Sequence, residues 1–206
     1  MTTRTITRLY DSYDEATRAV QALEAAGVPH DDISLVGSAH DRATEAAGGS
    51  KTDADSAAAT GAGTGATLGT LVGGGAGLLA GIGALAIPGV GPIVAAGWLV
   101  AALTGAGVGA AAGGLLGSLT GAGMSEEDAH VYAEGVRRGG TMLTARVDEG
   151  QAARVESVLA SSGGHVDVAS RRSEYQSEGW SRFDPAAPAL TATDVQAERK
   201  RRVRVS

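Results

Sequence analysis

Two glycine-rich stretches are the first places where this chain could hold a phosphate. Gly61-Ala-Gly63-Thr-Gly65 has the glycine spacing of part of a dinucleotide-binding turn. Such a turn must follow a strand and open a helix, so that backbone amides and the helix N-terminus meet the pyrophosphate. Here an Ala-rich polar stretch precedes it and the glycines continue for many turns, which favours packing over binding. Gly48-Gly-Ser-Lys51-Thr52 places no lysine directly after a glycine and follows no strand pattern, so it falls short of a phosphate loop. The four histidines, His30, His40, His130 and His165, are dispersed, and no pair has metal-ligand spacing. Glu126, Glu127 and Asp128 precede a helical pattern and suit the positive end of its dipole. Cysteine is absent and no Ser/His/Asp order suggests a nucleophile. The expectation is a protein that is not an enzyme, with no metal and no cofactor.

The feature with a plausible partner is the basic end. Arg199, Lys200, Arg201, Arg202 and Arg204 put five positive charges there, leaving −11 for the rest of a chain whose net charge is −6. Lys/Arg clusters attract anionic lipid headgroups at about 1 kcal/mol per charge near the surface. A solvated terminus accounts for the cluster equally well. Nucleic acid is not expected, because the remainder is acidic and no aromatics interleave the basic residues.

The elements that would position any site are organised around residues 61–123. No charged residue occurs between Asp55 and Glu126, and glycine recurs every fourth residue. One series is Gly61, Gly65, Gly69, Gly73, Gly77 and Gly81; the second is Gly97, Ala101, Gly105, Gly109, Gly113, Gly117 and Gly121. Four residues is close to one helical turn, so each series predicts a smooth stripe that lets helix backbones approach closely. The break Ile87-Pro88-Gly89-Val90-Gly91-Pro92 then predicts a turn between two helices. Residues 66–87 would reach about 33 Å as a helix, enough for a hydrocarbon core of about 30 Å, and residues 93–119 are longer. A membrane-inserted glycine-zipper hairpin is the leading expectation, with Trp98 as an interfacial anchor. A soluble hairpin buried in an oligomer and a disordered Gly/Ala segment are the alternatives.

On either side the pattern is α+β. Arg4 to Tyr10 reads as a strand, and Ser12-x-x-Glu15 opens a helix with Ala16, Ala19, Val20 and Leu23 on its apolar face, ending at Gly27. Residues 33–36 form a second strand. Ser125-x-x-Asp128 caps another helix, which stops at Gly139-Gly140. Thr141 to Val147 alternates as a strand with Leu143, Ala145 and Val147 inward. A further helix carries Ala152, Val155, Val158 and Leu159, and Val166 and Val168 predict a last strand. Setting aside the insertion and the helix after it, the order is β-α-β twice, a ferredoxin-like split βαβ sandwich interrupted by a glycine-zipper two-helix hairpin. The expected divisions are a first half at 1–37, a flexible linker at 38–60, the hairpin at 61–124, a helix plus second half at 125–170, and a mostly disordered tail at 171–206, with a short helix over 193–202.

Residues 9–16 (Leu-Tyr-Asp-Ser-Tyr-Asp-Glu-Ala), 32–36 (Asp-Ile-Ser-Leu-Val), 86–92 (Ala-Ile-Pro-Gly-Val-Gly-Pro) and 129–140 (Ala-His-Val-Tyr-Ala-Glu-Gly-Val-Arg-Arg-Gly-Gly) carry a resemblance. They are similar to the YflT-type heat-induced general stress proteins, over about residues 4 to 170. The resemblance implies a bacterial stress-response setting and carries over no catalytic residue.

The functional expectation is a non-enzymatic general stress protein that self-associates and lies on the cytoplasmic side of the cell membrane, because residues 1–15 contain no secretory leader pattern. The alternative is a cytoplasmic oligomeric ligand-binding or sensor module.

Overall fold

The structure is a computed structural model that describes residues 3–39, 83–87, 90–99 and 110–205. Strand β1 (Thr3–Tyr10) turns Ile6 and Tyr10 to one side and Leu9 to the other. Ser12 caps helix α1 (Tyr13–Ala25), its hydroxyl accepting from the Glu15 amide at 3.2 Å. Ala16, Ala19, Val20 and Leu23 form the buried face of α1, as the helical spacing predicts. A single 3₁₀ turn (His30–Asp32) leads into β2 (Ile33–Ser38), every residue of which is buried.

Over its described residues, the glycine-rich block departs from its expected form. Two antiparallel strands, β3 (Gly83–Ile87) and β4 (Gly91–Ala96), flank the expected break rather than two helices. β4 pairs antiparallel with β2, setting Leu35 opposite Ala96 and Ser38 opposite Ile93. Helical spacing was the wrong period here. Alternation sinks Ile93 and Ala95 into one core while Ala96 joins the other, and it satisfies a row of β2 backbone groups that a helix would leave unpaired. Ser34 secures the pairing by donating from Oγ to the Ala96 carbonyl at 2.7 Å.

Helix α2 covers Ala110–Gly121 and is kinked at Gly114 (φ 39°, ψ −134°). Leu115 and Leu119 on it are buried. Gly61, Gly65, Gly69, Gly73, Gly77, Gly81, Gly105 and Gly109 lie outside the described residues, as do linker residues 40–60. Among the described residues, no helix is long and apolar enough to cross a membrane.

Helix α3 (Glu126–Arg137) is capped by Ser125, whose hydroxyl accepts from the Asp128 amide at 3.2 Å. Strand β5 (Thr141–Asp148), helix α4 (Glu149–Ser162) and the short strand β6 (His165–Val166) follow. Val168 does not extend β6 as expected. Asp167 caps a helix there, α5 (Val168–Ser177), its carboxylate accepting from the Ser170 amide at 2.7 Å. The expected disordered tail is structured over residues 171–205: after α5, helix α6 spans Ala192–Val205, and Arg171, Tyr175, Phe183, Val195 and Arg202 are buried. The tail lacks an apolar stripe, so its burial rests on a few aromatic and arginine contacts that periodicity does not register.

These strands make one six-stranded antiparallel sheet in the order β3-β4-β2-β5-β1-β6. The fold is α+β. Both faces of the sheet are covered. On one, Ile6, Tyr10, Leu35, Leu143, Ala145 and Val147 meet α1 and α4. On the other, Leu9, Val36, Met142 and Ile93 meet α2, α3 and Phe183.

Candidate functional site

The densest polar arrangement among the described residues surrounds the turn after α3. Arg138 caps that helix, and the chain leaves it through Gly139 and Gly140. The Gly139 amide donates to the Val136 carbonyl at 3.0 Å and the Gly140 amide to Gly135 at 2.8 Å, the paired bonds of a Schellman ending. Gly139 has φ +93°, and a Cβ there would lie 2.3 Å from Val195 Cγ1 of α6. Positive φ and the close passage of α6 both demand glycine. Gly135 and Gly140 admit the Leu9 side chain: a Cβ on Gly135 would stand 2.6 Å from Leu9 Cδ2. The Gly-Val-Arg-Arg-Gly-Gly run is therefore a packing device, fitting β1 beneath α3 and α6 against its end.

Arginine and carboxylate side chains join this turn to the tail. Glu134, with a side chain only 2% exposed, accepts from Arg137 at 2.9 Å and from Arg138 Nε at 2.6 Å. Arg138 also donates to Glu178 and lies over the Tyr175 ring, 4.2 Å from its centroid. Glu178 accepts in addition from Arg201 at 2.8 Å. Arg171 donates to both oxygens of Asp11, at 3.0 and 2.9 Å, and Arg202 to Asp11 Oδ1 at 2.9 Å. Arg202 and Arg199 each reach a backbone carbonyl of the turn, Arg138 and Gly139 respectively.

Burial works against the charge on Arg138, yet its bonds to Glu134 and Glu178 prevail and raise its pKa further. The hydrogen bond from Arg138 holds the Glu178 carboxyl below its usual range, with Arg201 assisting. Burial pushes the Tyr175 phenol up. Each shift moves the pKa further from neutral pH, whereas an acid or base catalyst works best with a pKa near the working pH. The arrangement clamps the tail to the domain.

A cleft of about 270 Å³ opens beside β1 and the α2–α3 turn, with Thr5, Thr7, Leu119, Met124, Asp128 and Tyr132 in its walls. Its principal polar groups are engaged within the protein. Tyr132 donates to the Thr7 carbonyl at 3.0 Å, and Asp128 accepts from Ser125 at 2.8 Å and Arg172 at 2.6 Å.

The residues singled out from the sequence are distributed differently. Gly97 is a turn glycine at φ +91°, where a Cβ would fall 2.1 Å from the Ile33 carbonyl oxygen, so it packs on β2 and not along a helix seam. Gly113, Gly117 and Gly121 lie on α2, and among the described residues nothing comes within 4 Å of a Cβ placed on Gly117 or Gly121. Trp98, expected as a membrane anchor, is part-buried under the Arg146 guanidinium, 4.6 Å from its ring centroid. Of the basic end, Arg199, Arg201 and Arg202 are engaged as described, and Lys200 is exposed. The Arg204 side chain lies outside the described residues. His30 pairs with Glu24 at 2.8 Å, His130 lies 3.7 Å from Glu126 and His165 sits on β6; His40 is outside the described residues. Among the described residues, no three His, Asp or Glu side chains gather as metal ligands. Sequence reasoning missed Asp11, Arg171 and Tyr175, which carry no local motif because their partners are distant in the chain.

The family model described as the heat induced stress protein YflT domain matches residues 5–76. That span takes in β1, α1 and β2, and it ends before the Arg-Arg-Gly-Gly turn. No curated protein and no solved structure matches the chain.

Proposed function

Since residues 5–76 carry the YflT stress-protein domain, we propose that this chain is a non-enzymatic general stress protein that works by self-association. The glycine face of α2 is the contact between copies. One observation carries this reading: α2 buries Leu115 and Leu119 in its own domain while Gly117 and Gly121 are exposed, with nothing among the described residues packed on them. Small residues one turn apart let a second backbone approach closely. We also read the core as a ferredoxin-like split βαβ unit. Support comes from the order β2-β5-β1-β6, in which each β-α-β pair encloses a strand of the other.

A membrane-spanning hairpin fits less well. Ile93, Ala95, Leu99, Leu115 and Leu119, which would form its second arm, fill the second core of the protein instead. The test is sedimentation of the full chain beside Gly117→Leu/Gly121→Leu. A wild-type oligomer and a variant monomer that keeps the wild type's far-ultraviolet circular dichroism are expected, with the wild type's melting temperature rising with protein concentration. A wild-type monomer at tens of micromolar, or a variant as oligomeric as the wild type, rejects the reading.

A further inference from the structure

We propose that helix α6 is a releasable basic arm whose partner is an anionic lipid surface, and that its seat on the Arg138–Gly139 turn holds the arm in reserve. Arg199, Lys200, Arg201, Arg202 and Arg204 place five positive charges in the second half of this helix. In the seated form Arg202 donates to Asp11 at 2.9 Å, Arg201 to Glu178 at 2.8 Å and Arg199 to the Gly139 carbonyl at 3.3 Å. Guanidiniums that hold these partners are not free for phosphate headgroups. Seating and surface binding therefore compete for the same side chains.

Charge, more than apolar area, holds the helix down. Among its described residues α6 buries only Val195 and Arg202. Ion pairs of this kind exchange for others of the same chemistry, and a surface of anionic headgroups offers many at once. The arm also has a hinge. Phe183 is buried in the second core, whereas Asp184, Pro185, Ala186, Pro188 and Ala189 are exposed. Arg137 reaches this stretch at the Pro188 carbonyl, over 3.4 Å.

Reach decides that the arm must leave its seat. Apart from the basic end the chain carries −11, and Asp11 and Glu178 lie against the seated helix. An anionic surface brought up to that helix would meet their charge as well. Residues 184–191 contain two prolines and span roughly 25 Å when extended, at about 3 Å per residue. That exceeds the screening length of about 8 Å at physiological ionic strength, so a released arm touches the surface while the acidic body stays outside its field. Lipid is favoured over nucleic acid by the sequence of the arm. Val203 and Val205 alternate with its last basic residues, which suits the boundary between headgroups and acyl chains, and no aromatic is there to stack on a base.

The test compares the full chain with its arm tethered and free. A Cβ on Gly139 would lie 3.5 Å from that of Val195, within reach of a disulfide, and the chain has no cysteine of its own. Gly139→Cys/Val195→Cys is oxidised to lock α6 down and reduced to free it. Each form is floated with vesicles of phosphatidylglycerol mixed with phosphatidylcholine, or of phosphatidylcholine alone. The wild type and the reduced variant should bind the mixed vesicles, the oxidised variant at least about tenfold more weakly, and none of them the neutral vesicles. Asp11→Ala tests the seat without a disulfide. It leaves the arm intact and should tighten binding about tenfold, because more of the arm is released. Equal binding by the oxidised and reduced forms, or affinity unchanged in Asp11→Ala, would overturn the proposal. So would a wild type that binds neither vesicle or both alike, or one that binds single-stranded RNA more tightly than the mixed vesicles.

Discussion

Asp11, just past the end of β1, accepts a hydrogen bond at 2.9 Å from Arg202, which lies 191 residues further along the chain. The same carboxylate accepts from Arg171, so one acidic side chain fastens both tail helices to the first strand. Both arginine side chains are only 7% exposed, whereas Asp11 is 39% exposed. Water at the carboxylate limits the strength of the pairing, while the buried guanidiniums make its loss costly.

Asp11→Ala should therefore destabilise the protein by about 2 kcal/mol, because two buried cations lose a partner. The loss should be local to the tail. Hydrogen exchange should quicken in α5 and α6, while β1 and β5 amides keep their protection. Uniform acceleration through the sheet would mean that the tail is no separate unit.

Gly139 tests how α6 seats. Gly139→Ala brings a Cβ to 2.3 Å from Val195 Cγ1 at a backbone φ of +93°. The two faults together should cost about 2–4 kcal/mol in urea unfolding. In Gly139→Ala/Val195→Ala the clash is gone and only the φ strain stays, so the double variant should be more stable than the sum of the two single losses predicts. Strict additivity would show that α6 does not pass over the turn.

Gly97 separates the strand from the helix most directly. In an exposed helix, Gly97→Ala would stabilise by up to about 1 kcal/mol. In this structure a Cβ would meet the Ile33 carbonyl oxygen at 2.1 Å. The substitution should cost at least about 2 kcal/mol by thermal or urea unfolding, since backbone cannot yield as a side chain can. A stabilised variant would favour the helical hairpin.

Local signals were legible where one short segment carried all the information. Ser12 and Glu15 announced α1, Ser125 and Asp128 announced α3, and the inward set Leu143, Ala145 and Val147 could be read from alternation. Alternation shows one buried face and is silent when the other is buried as well, which hid the second core of Leu9, Val36 and Met142. Glycine every fourth residue suggested a helix at Gly97, where its cause is contact with β2. The clamp was illegible for a different reason. Asp11, Tyr175 and Arg202 acquire their partners only once the sheet and tail are assembled, and no spacing encodes that.

Glu178 gives this clamp a dependence on acidity. Its carboxyl is held below the ordinary range chiefly by the Arg138 hydrogen bond, so ionisation favours the folded state. A depressed carboxylate contributes stability above its unfolded pKa, about 4.3 for glutamate, and loses it as pH falls through the folded value. With the side chain 27% exposed, the contribution should be about 1 kcal/mol. Glu178→Gln keeps the shape and removes the charge. Melting curves from pH 6.5 down to 3 should show the variant below the wild type at the upper end. The gap should close as acid protonates the wild-type carboxyl. A gap that stays constant over that range would mean that the pairing with Arg138 contributes nothing to folding.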